Sequence, residues 1–165
     1  MFYGILAAIV AAIVGLDQWT KALTVAHVPL HEDLDSVLGI FHITHTENSG
    51  AIWGILQGQT WLFVVVMVLF LAVLAVLIWR KWLTKKFEWV CLAMIAGGGI
   101  GNMIDRIAYG KVTDMIEFDF VKFPVFNVAD CFITVGCFAL MIYILFFDRE
   151  IKQKESPEEQ TPPEE

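Results

Sequence analysis

What the sequence lacks narrows it first. Only three of its 165 residues are cysteine, Cys91, Cys131 and Cys137. None stands in a CxxC pair, which excludes a zinc ribbon or a disulfide framework and leaves free thiols buried in apolar segments. Lys and Arg number 11 against 18 Asp and Glu, and no basic stripe carries interleaved aromatics, so no nucleic-acid partner is expected. HExxH is absent: His31-Glu32 runs on into Asp33-Leu34-Asp35 with no second histidine in register, which removes the ligands of a zinc intramembrane protease. A basic n-region and a convincing small-residue cleavage site before Asp17 are missing too, so the first apolar segment is expected to remain as a helix.

What is there is hydrocarbon. Hydrophobic residues make up 58 % of the chain, with a mean hydropathy of +0.67, far too apolar for a disordered chain or an ordinary soluble domain. Trp61 to Trp79 runs nineteen residues without a charge, enough at about 1.5 Å per residue to cross a hydrocarbon core of about 30 Å. Three further segments reach that length only by drawing polar residues into their ends. The expected spans are about 2–25, 61–79, 88–106 and 128–147, with outer connections at 27–60 and 107–126. Together they define a four-helix membrane domain over 1–147, and 148–165 forms an acidic, proline-containing tail with too little apolar surface to fold. The stretch Phe41-His42-Ile43-Thr44-His45 alternates, predicting a short strand on the membrane surface. The fold class expected is therefore an all-α membrane protein of four transmembrane helices with a small extracytoplasmic β-sheet element.

Seven Lys and Arg (Arg80, Lys81, Lys85, Lys86, Arg149, Lys152, Lys154) fall on one side of this arrangement. Four (Lys21, Arg106, Lys111, Lys122) fall on the other. The bias predicts that both termini are cytoplasmic. Alternating the helices then brings Asp17 and Lys21, Asn102, Asp105 and Arg106, and Asn127 and Asp130 to one level near the outer face. Ionisable groups inside a span are costly and mark a functional site by default.

Asp114, eight residues beyond Arg106, and Asp130, at the start of the fourth span, come from different segments. At one dry boundary they could share a proton, leaving one base and one acid for cleaving an amide with water. Plainer roles exist for each of these groups. Asn127-x-x-Asp130 has the spacing of a helix cap, Asp114 suits a solvated loop, Asp17 and Lys21 can neutralise one another at i,i+4, and Asp105 and Arg106 with Asn102 can form a structural polar knot. Gly97-x-x-x-Gly101 permits close helix approach. The histidines His27, His31, His42 and His45 are expected on the surface, although His42-x-x-His45 could chelate. Ser49 with Lys21 could imitate a serine–lysine pair. A proton-coupled carrier using the same acids, or a non-catalytic lipid-binding subunit, are the competing function classes.

The order Asp17-x-x-x-Lys21, Glu47-Asn48-Ser49-Gly50-Ala51-Ile52-Trp53-Gly54, Gly101-Asn102-Met103-Ile104-Asp105-Arg106, Val112-Thr113-Asp114 and Phe126-Asn127-Val128-Ala129-Asp130 resembles the bacterial lipoprotein signal peptidases, signal peptidase II. The resemblance covers about residues 1–147 and implies an aspartic endopeptidase of the bacterial cytoplasmic membrane. Such an enzyme removes signal peptides from diacylglyceryl-modified prolipoproteins just before the lipidated cysteine. It implies Asp114 and Asp130 as the catalytic pair and Asp17, Lys21, Asn48, Gly50, Asn102, Asp105, Arg106 and Asn127 as substrate-binding or supporting positions. No metal or other cofactor is implied, membrane lipid surrounds the site, and globomycin-type cyclic peptides are expected in the same cleft. Ile52-Trp53, where Ala-Phe is more usual, and Cys131, where a small hydroxyl residue is frequent, depart from the pattern and bear on specificity.

Overall fold

The structure, a computed structural model, describes residues 1–50, 56–83 and 85–148. Positions 51–54 of the motif beginning at Glu47 and the tail beyond Asp148 lie outside the described residues. The helices are α1 (Phe2–His27), α2 (Thr60–Arg80), α3 (Lys86–Tyr109) and α4 (Val128–Ile142), the last widening into a π-helical turn over Tyr143–Asp148. All four are long and apolar enough to cross a membrane, α4 with its extension through Phe147. The strands β1 (Phe41–Asn48) and β2 (Val112–Phe118) pair antiparallel.

α3 is the central helix. More than half of its apolar window is buried, 56 %, against 17 % or less for each of the others. Its glycines explain how one helix can be touched on three sides, because each removes a side chain where another helix passes. A Cβ on Gly97 would stand 2.9 Å from Ile13 of α1, one on Gly98 would strike the Ala129 carbonyl oxygen of α4, and one on Gly99 would meet the Met67 sulfur of α2 at 2.5 Å. In lipid, where helices gain nothing by hiding from hydrocarbon, such close packing is what holds them together. Towards the other end of α3, Leu6, Trp89, Leu92 and Ala93 form an apolar cluster. α2 has no fully buried residue, although Met67 meets Gly99 and Phe70, Leu74 and Leu77 pack against the apolar cluster.

The C-terminal ends of α1 and α3 and the N-terminal ends of α2 and α4 meet at one end of the bundle. There the Thr60 hydroxyl donates to the Gly110 carbonyl at 2.9 Å. Gly110 closes α3 in the left-handed region, φ 76°, the conformation that glycine adopts at least cost. The chain then turns directly into β2.

The strand predicted at Phe41–His45 is found as β1 and runs on to Asn48, while Val112–Phe118, taken from sequence as a connection, is its partner. Their register breaks once. Phe41, His42 and Ile43 face Phe118, Glu117 and Ile116, but Thr46, Glu47 and Asn48 face Asp114, Thr113 and Val112, so Thr44 and His45 stand opposite Met115 alone. A one-residue bulge exchanges the two faces of a strand for everything beyond it. It therefore puts Asn48 on the same face as Asp114, where an unbroken register would have put it on the opposite one.

Candidate active site

Asp114 sits in the middle of β2 and is 3 % exposed, so the solvated-loop expectation does not hold. Both its oxygens are held: Asn127 Nδ2 donates to Oδ1 at 2.7 Å and Asn48 Nδ2 donates to Oδ2 at 3.0 Å. Burial pushes the Asp114 carboxyl up to about 6, against the hydrogen bond from Asn48, and the charge of Asp130 adds to the rise.

Asp130 enters through α4. Its backbone N–H donates to Asn127 Oδ1 at 3.0 Å and its Oδ2 accepts from the Asn127 N–H at 3.1 Å, a complete capping box. The capping role expected for this pair is real, and it coexists with a second one. Asp130 Oδ1 remains free of the cap and accepts from Asn102 Nδ2 at 2.8 Å. Asn102 Oδ1 in turn accepts from Asn127 Nδ2 at 3.1 Å and from Lys21 Nζ at 2.9 Å. Two asparagines thus link the carboxylates, and both acids open onto one cavity of about 510 Å³.

Behind the asparagines lies a buried ionic cluster. Lys21 Nζ is 2.8 Å from Asp17 Oδ2 and 2.9 Å from Asp105 Oδ2. The i,i+4 pair read from sequence is therefore a three-body contact. Asp17 is fully buried and its Oδ1 accepts from the Ala129 N–H at 3.0 Å, which ties α1 to the first turn of α4 one residue before Asp130. The close approach is possible because position 101 is glycine: a Cβ there would stand 2.5 Å from Asp17 Oδ2. With three partners fixed, Lys21 is committed to this cluster and does not serve Ser49 as a base. Asp105 also accepts from Gln18 Nε2 at 2.8 Å and from the Thr113 N–H at 3.4 Å, so it supports β2 from below.

Arg106 forms no ion pair with Asp105 but donates to the Asn102 carbonyl at 3.4 Å, so the expected knot with Asn102 holds in part. Its guanidinium donates to the Gly50 carbonyl at 3.1 Å and lies 4.5 Å from the centre of the Phe63 ring, at the cavity wall. Gly50 is itself held by its N–H on Asn48 Oδ1 at 2.9 Å. Gln18 and Phe63 were missed from sequence. Gln18 carried a usable signal, a polar side chain inside an apolar span; Phe63 carried none, being one aromatic among many in α2.

The cavity is two-sided. Asn48, Asn102, Arg106, Asp114, Asn127 and Asp130 make its polar wall, and Phe63, Phe118, Phe123, Phe126, Ile133 and Val135 its apolar one. Such a cleft suits a substrate with an amide at one end and hydrocarbon at the other. Cys131 also lines it, next to Asp130, while Cys91 is buried and Cys137 is exposed. Of the histidines, His45 departs from the surface expectation: it is buried and its Nδ1 sits 2.8 Å from the Val28 carbonyl oxygen, so it does not chelate together with His42.

Comparison with known proteins places this arrangement. A family model described as signal peptidase (SPase) II matches residues 9–146. A lipoprotein signal peptidase of Enterococcus faecalis is 40 % identical over 145 residues, 87 % of this chain and 89 % of that protein. Another, from Geobacillus thermodenitrificans, is 41 % identical over 139 residues, 83 % and 87 % of the two chains. Two solved structures, each described as a bacterial membrane enzyme determined by the in meso method, superpose with TM-scores of 0.81 and 0.79 at 26 % and 29 % identity. The alignments cover 98 % of this chain and 95 % of the first, and 87 % of this chain and 94 % of the second. A family model spanning nearly all of the helical body, and relatives well above 30 % identity over most of their length, establish that this chain belongs to the signal peptidase II family of multi-pass bacterial membrane peptidases.

Proposed function

We propose that the chain is an aspartic endopeptidase that removes the signal peptide from diacylglyceryl-modified prolipoproteins, cutting just before the lipidated cysteine, with Asp114 and Asp130 as the catalytic pair. The observation that carries this reading is that the two acids, delivered by β2 and by α4, open onto one cavity and are joined through Asn127 and Asn102. The relatives' name, lipoprotein signal peptidase, supplies the substrate class.

Two carboxyls that open onto one cavity, the charge of one felt by the other, share one proton. The ionised partner takes a proton from water as its oxygen attacks the scissile carbonyl. The protonated partner gives its proton to the departing amine nitrogen, so the C–N bond breaks into a carboxylic acid and a free amine, between which the remaining water proton then passes, and the pair returns to its single proton. Asn48 and Asn127 hold Asp114, and Asn102 and the helix cap hold Asp130, so neither acid has to reorganise during the reaction. Arg106 and Gly50 position the peptide along the polar wall. Asp17, Lys21 and Asp105 hold the helix ends in place, and the apolar wall receives the acyl chains beside membrane lipid. Globomycin-type cyclic peptides would fill the same cleft. No metal or cofactor takes part.

The seven-to-four bias of Lys and Arg supports a cytoplasmic-membrane protein with both termini inside and the cleft near the outer face. A Lys122→Cys variant, made with Cys91, Cys131 and Cys137 replaced by alanine and labelled by a membrane-impermeant maleimide in intact cells, tests that orientation; labelling only after permeabilisation would reverse it. For the chemistry, the purified protein is incubated with a diacylglyceryl-modified precursor. Asp114→Asn and Asp130→Asn should each lose several orders of magnitude in rate while the protein stays folded in detergent, since the pair acts as a unit. Undiminished cleavage by either variant would remove the dyad from the mechanism.

A further inference from the structure

We propose that the sheet carries a second, non-catalytic site: a divalent transition-metal site formed by His42, Asp33 and Glu117 and oriented by Asp119. Side chains alternate along a strand, so Glu117, three residues beyond Asp114, lies on the opposite face of β2. His42 is its direct cross-strand partner. Asp33 is brought alongside by backbone pairing, Asp33 with Thr44 and the Leu34 N–H with the Ile43 carbonyl at 2.8 Å. Three separate segments thus deliver one ligand atom each, and these atoms all lie within 4.8 Å of one another.

The spacing is that of a coordination shell. His42 Nε2 is 3.8 Å from Asp33 Oδ1 and 3.4 Å from Glu117 Oε2. Both exceed the usual N–H···O range of about 2.7–3.2 Å, as they should if no proton joins them. The 3.4 Å separation matches the edge of a tetrahedron with metal–ligand bonds of about 2.0–2.1 Å, which is about 3.3–3.5 Å, and the 3.8 Å one exceeds it by a few tenths of an ångström, within the rotation of the Asp33 side chain. The other ring nitrogen is already committed: Nδ1 is 2.6 Å from Asp119 Oδ1, and Asp119 Oδ2 accepts from the Ser36 hydroxyl. A carboxylate on Nδ1–H leaves the Nε2 lone pair facing outward, which is how metal-binding imidazoles are held. His42 and Glu117 are half-buried and Asp33 is exposed, so water can occupy the fourth position. One imidazole with two carboxylates favours Zn²⁺ over Mg²⁺ or Ca²⁺, which take oxygen ligands. The three carboxylates facing His42, those of Asp33, Glu117 and Asp119, also hold its imidazole above the ordinary range, so protons compete with the ion. A bound ion would staple the 31–36 loop across β1 and β2, the sheet that holds Asp114.

The test uses the full chain in detergent, stripped with a chelator and titrated with Zn²⁺ by calorimetry, and with Co²⁺ by visible absorption. One ion per chain is expected, with a tetrahedral Co²⁺ band. His42→Ala and Glu117→Gln should each weaken binding at least 100-fold, and Asp119→Asn by about 10–100-fold. Asp114→Asn should leave affinity unchanged. Glu117→Gln, isosteric and only half-buried, serves where His42→Ala fails to fold. Wild-type protein that takes up no Zn²⁺ at millimolar concentration, variants that bind as tightly as wild type, or loss of binding in Asp114→Asn would each overturn the proposal.

Discussion

The side-chain amide of Asn127 stands 2.7 Å from Asp114 Oδ1, while its carbonyl oxygen caps the helix that carries Asp130. One side chain therefore does two separable jobs, and substitution can divide them. Asn127→Ser keeps a capping oxygen and removes the amide donor; it should hold thermal stability close to wild type and lower the cleavage rate by about 10²–10³-fold, the scale of losing a positioned hydrogen-bond donor at a reacting centre. Asn127→Ala should lose the same rate and also about 1 kcal/mol of stability with the cap. Equal loss of stability in both variants would show that the cap is not what Asn127 contributes there.

The pH dependence has a definite sign. Asp114 titrates near 6, raised chiefly by burial and held down by the hydrogen bond from Asn48. If the singly protonated pair is the working form, rate falls as pH rises and that proton is lost. Asn48→Ala removes a donor that favours the carboxylate, so the Asp114 pKa rises further and the alkaline limb of kcat/KM moves to higher pH, by about one unit for a hydrogen bond to a charged group worth about 1.5 kcal/mol. A limb that stays in place or moves to lower pH would contradict this account.

Gly98 and Gly15 make a matched pair. A methyl at Gly98 would meet the Ala129 carbonyl oxygen, which is backbone, whereas at Gly15 nothing lies within 4 Å. Gly98→Ala should therefore push the start of α4, and Asp130 with it, out of place, costing about 1–3 kcal/mol and most of the activity. Gly15→Ala should be neutral or stabilise by about 0.5–1 kcal/mol. Thermal unfolding in detergent alongside a cleavage assay distinguishes the two.

Lys21 balances two buried carboxylates. Lys21→Met leaves Asp17 and Asp105 without their cation and should destabilise the protein by about 3–5 kcal/mol, the usual cost of breaking a buried ion pair from one side. A melting temperature equal to wild type would show the cluster to be dispensable.

Much of this was legible in the sequence because hydrocarbon imposes simple arithmetic. Nineteen uncharged residues from Trp61 to Trp79 admit one interpretation, and segments too short to span must draw their polar residues to helix ends. Gly97-x-x-x-Gly101 announced a close approach, and α1 makes it, with Ile13 against Gly97 and Asp17 against Gly101. β2 was harder, because seven residues interrupted by two acids, Asp114 and Glu117, carry little periodic signal; only pairing with β1 makes Val112–Phe118 a strand.

Composition, span length and the order of the polar motifs determined on their own that this is a four-helix membrane protein and which acids were worth weighing. They could not choose among roles. Asp105 and Asp114 are both buried acids of the same neighbourhood, yet one closes on Lys21 and the other opens to the cavity. That choice depends on a bulge at Thr44–His45, which turns Asn48 toward Asp114, and on glycines that let α1 and α4 approach α3. Both are contacts between segments far apart in the chain. The field around a carboxylate is set by whichever donors the fold brings within hydrogen-bonding distance, and local sequence has no hold on those.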